Sequence, residues 1–388
     1  MFFFTVIFIM ILAGAEIDLF VPSFPQIQKI FDVSPFMVEL TLGVNLFFHC
    51  ITALIVGALG DKYGRKSITI IGLIIFNFGS LLCVLTDNYS ILLIGRIFQG
   101  IGISGPAVLL LVIISDLYEA KKMQYLMGIV NASVAIAMAS APVVGSYVNL
   151  FFNWRGNFVV LLIMGVISLV LSVFFIPKTK ELVLRPNIKI SLSDYKEVFK
   201  SKKANLYLIS ICFAMQCYWV FIGMSPILYM EDLGVSLKDF GLYQGIIAAF
   251  FAVTSLSSSY FIKRFGAKRC FFVSCYLIVI FFLMVLWITI FNIQDPFLIT
   301  LAMLFQAVGM AYPVNIFYPL ALESIKNAKS RIGALLVSFR ILMSAIIIGL
   351  ASYFYDGSFF TIGISICSTL GISGITCYLL FRCYKILE

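Results

Sequence analysis

Twelve long apolar runs, separated by short polar segments, make up the hydrophobic pattern of this 388-residue chain. Most of the runs contain about 20 residues, the length that a helix needs to cross the hydrocarbon core of a bilayer. The pattern therefore predicts twelve membrane-spanning helices. Their predicted bounds are 2–21, 37–59, 67–85, 89–115, 124–149, 157–176, 205–230, 241–262, 269–291, 297–321, 331–354 and 359–381.

The longest polar segment between the runs divides the chain in the middle. It covers residues 177–204 and carries eight basic residues. We expect an N-terminal half of six spans at 1–176, a cytoplasmic linker at 177–204 and a C-terminal half of six spans at 205–388. Within the linker, residues 194–199 are expected to form a short interfacial helix.

The composition excludes a soluble globular protein. Apolar residues make up 62% of the chain and charged residues 12%, so a soluble fold would expose large apolar patches. The net charge of +9 does not indicate nucleic-acid binding, because the basic residues follow the predicted topology. With the N-terminus inside, the inner segments hold 22 of the 27 Lys and Arg residues, the outer segments three and the spans two. This bias predicts that both termini are cytoplasmic.

The first run resembles a secretory signal peptide only in its hydrophobicity. It has no basic residues before the apolar segment and no cleavage site with small residues, and it contains Glu16 and Asp18. We therefore interpret it as a retained first span.

The turn between spans 2 and 3 carries the most specific motif of the chain. Residues 57–66 read GALGDKYGRK, which matches the pattern G-x-x-x-D-x-x-G-R-[RK]. Glycines allow close helix approach, an aspartate can face a positive helix N-terminus, and basic residues stay on the cytoplasmic face. The motif resembles the loop between spans 2 and 3 in the major facilitator superfamily of secondary transporters.

This resemblance implies an all-α membrane protein with the major facilitator fold, built from two six-helix halves. It also implies that Asp116, just after span 4, pairs with the arginine of the turn, Arg65. Asp61 is expected to approach the N-terminus of span 11, near residues 330–333. The residues assigned to this conformational latch are Gly57, Asp61, Gly64, Arg65 and Asp116.

Span 4 contains an arginine well inside the apolar run. Residues 96–106 read RIFQGIGISGP and resemble the superfamily motif R-x-x-Q-G-x-G. A bare charge at such a depth costs roughly 2.5 kcal/mol or more, so Arg96 is expected to face a polar cavity or to pair with a carboxylate. The alternative is an arginine that extends toward the end of its helix. The resemblance implies that Arg96 faces the central cavity and takes part in proton coupling.

Span 1 contains two carboxylates. Residues 15–25 read AEIDLFVPSFP, and their pattern I-D-x-x-x-P-x-x-P resembles the Bcr/CflA (bicyclomycin and chloramphenicol resistance) branch of drug:proton antiporters. Asp18 matches the aspartate of that branch, and a carboxylate in a partly desolvated cavity can load and release a proton. The alternative for Asp18 is a solvated position at the outer end of the helix.

Glu16 departs from the pattern of the branch. It lies about 200° around the helix from Asp18, so the two carboxylates are not expected to face one cavity. We interpret Glu16 as an additional proton or substrate site, or as the partner of another polar residue.

Other positions give weaker indications. Residues 223–231 of span 7 resemble the S-P-[FI]-[VL]-Y segment of the same branch. In span 5, Pro142 permits helix bending and Gly145 permits tight packing, although the usual motif G-P-x-x-G-G has lost two glycines here. Weak candidates for the substrate cavity are Arg340, Tyr218, Gln216 and Gln306.

Two of the polar residues within spans allow two interpretations. Arg340, near the middle of span 11, could select carboxylate-bearing substrates or pair structurally with a carboxylate or carbonyl groups. His49 of span 2 could titrate near neutral pH or make a structural hydrogen bond.

The sequence thus predicts a proton-coupled secondary transporter that exports small amphipathic compounds and antibiotics across a bacterial inner membrane. It carries no phosphate-binding loop, no metal-ligand cluster and no nucleophile–base arrangement, so an enzyme is not expected. We expect no cofactor, a proton gradient as energy source, no nucleic-acid partner and a monomer in the bilayer. The alternative is a selective metabolite or siderophore transporter of the same fold, which the unusual charges of Glu16 and Arg340 favour. A channel is disfavoured by the two unequal halves, and a sensor on a transporter fold is disfavoured by the intact motifs.

Overall fold

The computed structural model describes residues 1–177, 196–325 and 329–384, and nearly all of these residues are helical. The prediction of an all-helical membrane protein is therefore confirmed. The helices are α1 (Phe2–Asp18), α2 (Phe24–Phe31), α3 (Pro35–Tyr63), α4 (Arg65–Leu85), α5 (Tyr89–Leu117), α6 (Ala120–Phe175), α7 (Lys196–Lys200), α8 (Lys202–Ile227), α9 (Leu237–Phe265), α10 (Ala267–Ile290), α11 (Pro296–Leu322), α12 (Lys329–Tyr353) and α13 (Phe359–Tyr384).

Within the described ranges, ten helical stretches are long and apolar enough to cross a membrane. One of them, 132–175 in α6, covers most of predicted spans 5 and 6, because two helices meet there at a kink at Asn153. A shorter apolar stretch, Ser338–Tyr353, belongs to α12. The helices therefore correspond to the twelve apolar runs of the sequence.

Predicted spans 5 and 6 are two helices that meet at a kink of one residue, without a longer loop between them. Asn153 has a φ of 55°, in the left-handed region, and helical residues continue on both sides of it. The backbone N–H of Trp154 donates to Gln26 Oε1 at 2.9 Å, and the Trp154 side chain is fully buried. The predicted separation between 149 and 157 was too wide, because the chain turns within a single residue.

The first apolar run also ends differently from the prediction. α1 ends at Asp18, a short 3-10 helix follows at Val21–Ser23, and α2 continues to Phe31. Pro22 and Pro25 lie in the first positions of these two segments, where a missing N–H group and a fixed φ favour the start of a helix.

The chain divides into two compact units, Met1–Ile190 and Ser191–Glu388. In the first unit, α5 packs on α3 and α4, while α6 packs on α1 and α4. In the second, α8 packs on α12 and α13, while α11 packs on α9 and α10.

Part of the predicted linker is helical. A short helix is present as α7, where one was expected at 194–199, although residues 194 and 195 lie outside the described residues; its interfacial position stays a prediction. Val198 of α7 is fully buried in a cluster with Ala204 and Leu380, so this helix packs on other helices of the second unit.

Glycines bring α4 and α5 close together in the first unit. A Cβ atom at Gly102 would lie 2.3 Å from the backbone nitrogen of Phe76, and one at Gly79 would lie 2.6 Å from the carbonyl oxygen of Gly95. Small residues allow this close approach of helix backbones. The contact fixes the part of α5 that carries the buried arginine Arg96.

Candidate functional site

Arg96 lies about two turns into α5 and is fully buried. Its Nη1 donates to Glu16 Oε1 at 3.1 Å and to Gln99 Oε1 at 2.7 Å, and its Nε donates to the carbonyl oxygen of Thr41 at 3.3 Å. The guanidinium carbon lies 4.6 Å from the centre of the Phe20 ring. The alternative in which Arg96 extends to the helix end is therefore wrong.

Glu16 of α1 is the carboxylate partner of Arg96, and it is fully buried as well. Its Oε1 also accepts from Asn45 Nδ2 at 2.8 Å, and the same Nδ2 donates to the carbonyl oxygen of Arg96 at 3.0 Å. Helices α1, α3 and α5 thus meet at this carboxylate. Glu16 thus pairs with other polar residues, as one of its two interpretations expected, and its role as a proton or substrate site stays a prediction.

Asp18 of α1 is 1% exposed, and neither of its oxygens has a hydrogen-bond partner among the described residues. The alternative of a solvated position at the helix end is therefore wrong. Arg96 forms its ion pair with Glu16 and not with Asp18, and the part of Asp18 in proton coupling stays a prediction.

Helix α6 fixes α1 next to these carboxylates. A Cβ atom at Gly145 would lie only 2.2 Å from the carbonyl oxygen of Leu19, as expected for a tight contact. Pro142 lies one turn earlier, inside α6. Asn149 Nδ2 donates to the carbonyl oxygen of Pro22 at 3.2 Å, which extends the contact beyond the end of α1.

The turn between α3 and α4 forms a second charged cluster. Gly64 has a φ of 92°, a conformation that favours glycine. Arg65 donates from Nε and Nη2 to Asp61 Oδ1 at 3.2 and 3.0 Å, and its Nη1 contacts Asp116 Oδ2. The expected ion pair between Arg65 and Asp116 is present. The expected approach of Asp61 to residues 330–333 involves both units and stays a prediction.

The expected close approach at Gly57 is not found. A Cβ atom there would have no atom of the described residues within 4 Å, whereas one at Gly60 would lie 2.6 Å from Leu109 Cδ2. The glycine of this turn that brings helices together is therefore Gly60.

Gln216 links two helices of the second unit. Its Nε2 donates to the carbonyl oxygens of Cys212 at 3.0 Å and Arg340 at 3.2 Å, and its Oε1 accepts from Ser344 Oγ at 2.8 Å. Gln216 is fully buried, and these contacts occupy both ends of its amide. The structure thus shows a packing contact between α8 and α12 at this weak cavity candidate.

The other cavity candidates differ in burial and in contacts. Arg340 is partly buried, and its Nε has no hydrogen-bond partner among the described residues. Gln306 is 2% exposed, and its Oε1 also has no hydrogen-bond partner among the described residues. Tyr218 is buried, and its ring stacks on that of Phe251 with 6.5 Å between centres. His49, which allowed two interpretations, lies partly buried in α3.

Sequence reasoning included Gln99 only as part of the span 4 motif, and it did not identify Asn45 or Glu39 of the first unit. Gln99 lies one turn after Arg96, a spacing that could have indicated the contact, and its Nε2 donates to Ser80 Oγ at 2.9 Å. Asn45 and Glu39 are buried polar residues of α3, and an isolated polar side chain in an apolar span is the feature that could have identified them.

The arrangement offers groups that can bind a proton or a polar substrate. Glu16 Oε2, Arg96 Nη2 and both Asp18 oxygens are buried and have no hydrogen-bond partner among the described residues. Over the same residues, no group of three His, Cys, Asp or Glu side chains is placed to hold a metal ion.

Comparisons with known proteins agree with this architecture. The profile of the family described as Major Facilitator Superfamily matches residues 6–349. "Multidrug resistance protein MdtL" of Salmonella dublin is 28% identical over 266 residues, which cover 69% of this chain and 67% of that protein. The Salmonella typhimurium protein of the same name is 27% identical over 266 residues, with the same shares covered.

Two solved structures show the same fold. The inward-open xylose transporter XylE from E. coli has a TM-score of 0.75 at 14% identity, over 98% of this chain and 95% of that one. A bacterial homologue of the human lysosomal transporter Spinster has a TM-score of 0.74 at 14% identity, with the same shares covered.

Proposed function

Because the chain belongs to the major facilitator superfamily, we propose that it is a proton-coupled exporter of small amphipathic compounds, antibiotics among them, in a bacterial inner membrane. The family and the fold make it a multi-pass membrane transporter of small molecules and not an enzyme. The multidrug-resistance relatives support the proposed substrate class. The span 1 and span 7 motifs, which resemble the Bcr/CflA branch, support export in exchange for protons. We include cytoplasmic termini and a monomeric state in the proposal.

The buried contact of Glu16, Arg96 and Asn45 is the observation that carries the proposal. A proton on Glu16 would remove the charge that balances Arg96 and weaken the attachment of α1 to α5. A ligand shifts a conformational equilibrium only when it interacts differently with the two states, and a proton at this position does so. Asp18 lies on the same helix as Glu16 and is buried, and its oxygens have no hydrogen-bond partner among the described residues. It is proposed as the second proton acceptor of the cycle.

The latch of Asp61, Arg65 and Asp116 is proposed to stabilise one of the two states. Its ion pairs join the end of α3, the start of α4 and the end of α5. Rigid-body movement of the halves, the usual transition in such transporters, would change these contacts.

Proton movement in proteoliposomes with an imposed pH gradient tests the proposal. Amphipathic drugs are compared with amino acids and carboxylate metabolites, using wild type, Asp18→Asn, Glu16→Gln and the control Glu119→Gln, whose carboxylate is exposed at the start of α6. We expect proton efflux from acid-loaded vesicles when a drug is added, lost in the first two variants and kept in the control. Full drug-driven efflux with Asp18→Asn would exclude the proton role of Asp18.

A second candidate function is selective transport of an anionic metabolite. The Nε of Arg340, which has no hydrogen-bond partner in the described chain, favours it, because a guanidinium in a cavity binds carboxylates well. A response to one narrow class of anions, lost with Arg340→Gln, would replace drug export with this function.

A further inference from the structure

Glu39 is a buried carboxyl group that the proposed cycle does not use. It lies in the second turn of α3 and is 1% exposed. Neither of its oxygens has a hydrogen-bond partner among the described residues. An ionised carboxylate in such a place pays the full cost of lost hydration, whereas the protonated acid does not.

The neighbouring contacts of α3 locate Glu39 between two fixed points. Two residues earlier, the carbonyl oxygen of Met37 accepts from the hydroxyl of Tyr89. Two residues later, the carbonyl oxygen of Thr41 accepts from Arg96 Nε at 3.3 Å. Both donors belong to α5, and Met37 and Thr41 lie about one turn apart on α3, so the turn that carries Glu39 is attached to α5 at both of its ends.

The groups around this part of α3 leave Glu39 without a counter-charge. Arg96 contacts α3 two residues after Glu39, at Thr41, and it uses its Nη1 and Nε for Glu16, Gln99 and Thr41. Other titratable or charged groups toward this end of the helices that contact α3 are Tyr89 of α5, Cys83 of α4, Lys29 of α2 and Glu16 of α1. None of them forms a hydrogen bond with the Glu39 carboxyl group.

Glu39 is also separate from the Glu16–Arg96 contact. Asn45, which binds Glu16, lies six residues further along α3, or about 9 Å along the helix axis. The start of α3 at Pro35 lies four residues before Glu39, or about 6 Å. Glu39 therefore lies between the start of α3 and the residue that binds Glu16, and its carboxyl group makes no hydrogen bond to either member of the ion pair.

We propose that Glu39 is a further proton-binding site of the first unit, which holds a proton in this conformation. The proton leaves when the start of α3 becomes hydrated, because water then solvates the carboxylate. Its contribution to transport, one proton per cycle in addition to those of Glu16 and Asp18, rests on the proposed function. The binding of a proton to the Glu39 carboxyl group is independent of the proposed function.

Infrared spectroscopy of the purified full chain in lipid membranes tests the proton site without any substrate. Protonated carboxyl groups have a C=O stretching band that carboxylates lack. At neutral pH, we expect one component of this band to disappear in Glu39→Gln and to remain in the double variant Glu16→Gln/Asp18→Asn. Glu39→Asp, which keeps a carboxyl group, should shift the component and serves as the test if Glu39→Gln does not fold. A spectrum of either Glu39 variant that superimposes on that of wild type would overturn the proposal.

The transport role has a separate measurement, the ratio of protons to substrate in proteoliposomes. Glu39→Gln should lower this ratio by one. An unchanged ratio, together with a lost infrared component, would overturn the transport role and keep the proton site. Failure of the proposed antiport would leave the infrared result unaffected, so the two failures are distinguishable.

Discussion

Glu16 on α1 and Arg96 on α5 form an ion pair inside the protein, with 3.1 Å between Oε1 and Nη1 and side-chain exposures of 1% and 0%. Taking two charges out of water is costly, and their attraction repays the cost only when further hydrogen bonds satisfy both groups. Asn45, Gln99 and the carbonyl oxygen of Thr41 supply part of these bonds, while Glu16 Oε2 and Arg96 Nη2 have no hydrogen-bond partner among the described residues. The pair therefore ties α1 to α5 through a contact that depends on the charge of one carboxyl group.

The first prediction concerns the removal of one or both partners of this pair. Glu16→Gln should lower the free energy of unfolding by about 3–5 kcal/mol, because Arg96 stays charged without a counter-charge. In the double variant Glu16→Gln/Arg96→Met the uncompensated charge is gone. We expect the double variant to be more stable than Glu16→Gln alone. Thermal unfolding of the purified proteins in detergent measures both effects, and additive losses would contradict the coupling.

Part of this site was predictable from the sequence. A deep arginine in a span needs a partner, and the turn motif placed Arg65 beside Asp116, a pair that the structure contains. The choice between Glu16 and Asp18 was not predictable, because it depends on the rotation of α1 about its own axis. That rotation is set by packing, including the contact of Gly145 with Leu19, which no local pattern specifies.

The spans themselves followed from hydropathy, while their ends did not. Asn153, with its positive φ, is the kink at which the two helices of predicted spans 5 and 6 meet, and the hydrogen bond from Trp154 to Gln26 of α2 stabilises the kink. A hydrophobic pattern does not specify such a contact between segments that are far apart in the sequence. The same holds for Gly57, where the motif indicated close packing and the structure has open space among the described residues.

The second prediction concerns the packing of α1 on α6. Gly145→Ala would place a Cβ atom 2.2 Å from the carbonyl oxygen of Leu19, so the helices must separate. We expect a loss of about 1–3 kcal/mol in the free energy of unfolding, as for other overpacked sites. Because Leu19 directly follows Asp18, transport should also decrease. Unfolding and drug-driven proton efflux are measured on the same preparation.

A matched control for this substitution is Gly43→Ala in α3. A Cβ atom at Gly43 would have no atom of the described residues within 4 Å, and alanine favours a helix over glycine by about 1 kcal/mol. Gly43→Ala should therefore preserve or raise stability. Equal losses in both variants would show that the contact of Gly145 with Leu19 is not the cause.

The third prediction concerns the latch at the turn between α3 and α4. Arg65 contacts Asp61 and Asp116 at once through different nitrogens of its guanidinium group. Lysine has a single ammonium group and does not reproduce this forked geometry. Arg65→Lys should reduce drug-driven proton efflux severalfold and change the free energy of unfolding by about 1 kcal/mol or less, because the cluster is partly exposed.

Lys62 provides the control in the same turn. Its Nζ lies 5.0 Å from the centre of the Tyr63 ring, and it is exposed. Lys62→Gln removes a positive charge from the turn without affecting the contacts of Arg65, so transport should be unchanged. If Lys62→Gln slows transport as much as Arg65→Lys does, the general charge of the turn matters and the latch is refuted.

The fourth prediction separates packing from substrate binding in the second unit. Gln216→Leu removes the three hydrogen bonds of a buried amide that joins α8 to α12, so we expect a loss of about 1–3 kcal/mol in the free energy of unfolding. Arg340→Gln keeps this link, because Gln216 binds only the backbone oxygen of Arg340. Its stability should stay within about 0.5 kcal/mol of wild type.

Arg340→Gln also distinguishes between the two candidate classes of substrate. If the transporter exports amphipathic drugs, Arg340→Gln should leave the KM for a cationic drug unchanged. If it carries an anionic metabolite, the variant should raise the KM for that anion about tenfold or more, since a charge-assisted bidentate contact is lost. A large loss of stability in Arg340→Gln would instead assign its side chain to packing, and it would remove the basis for the anionic substrate.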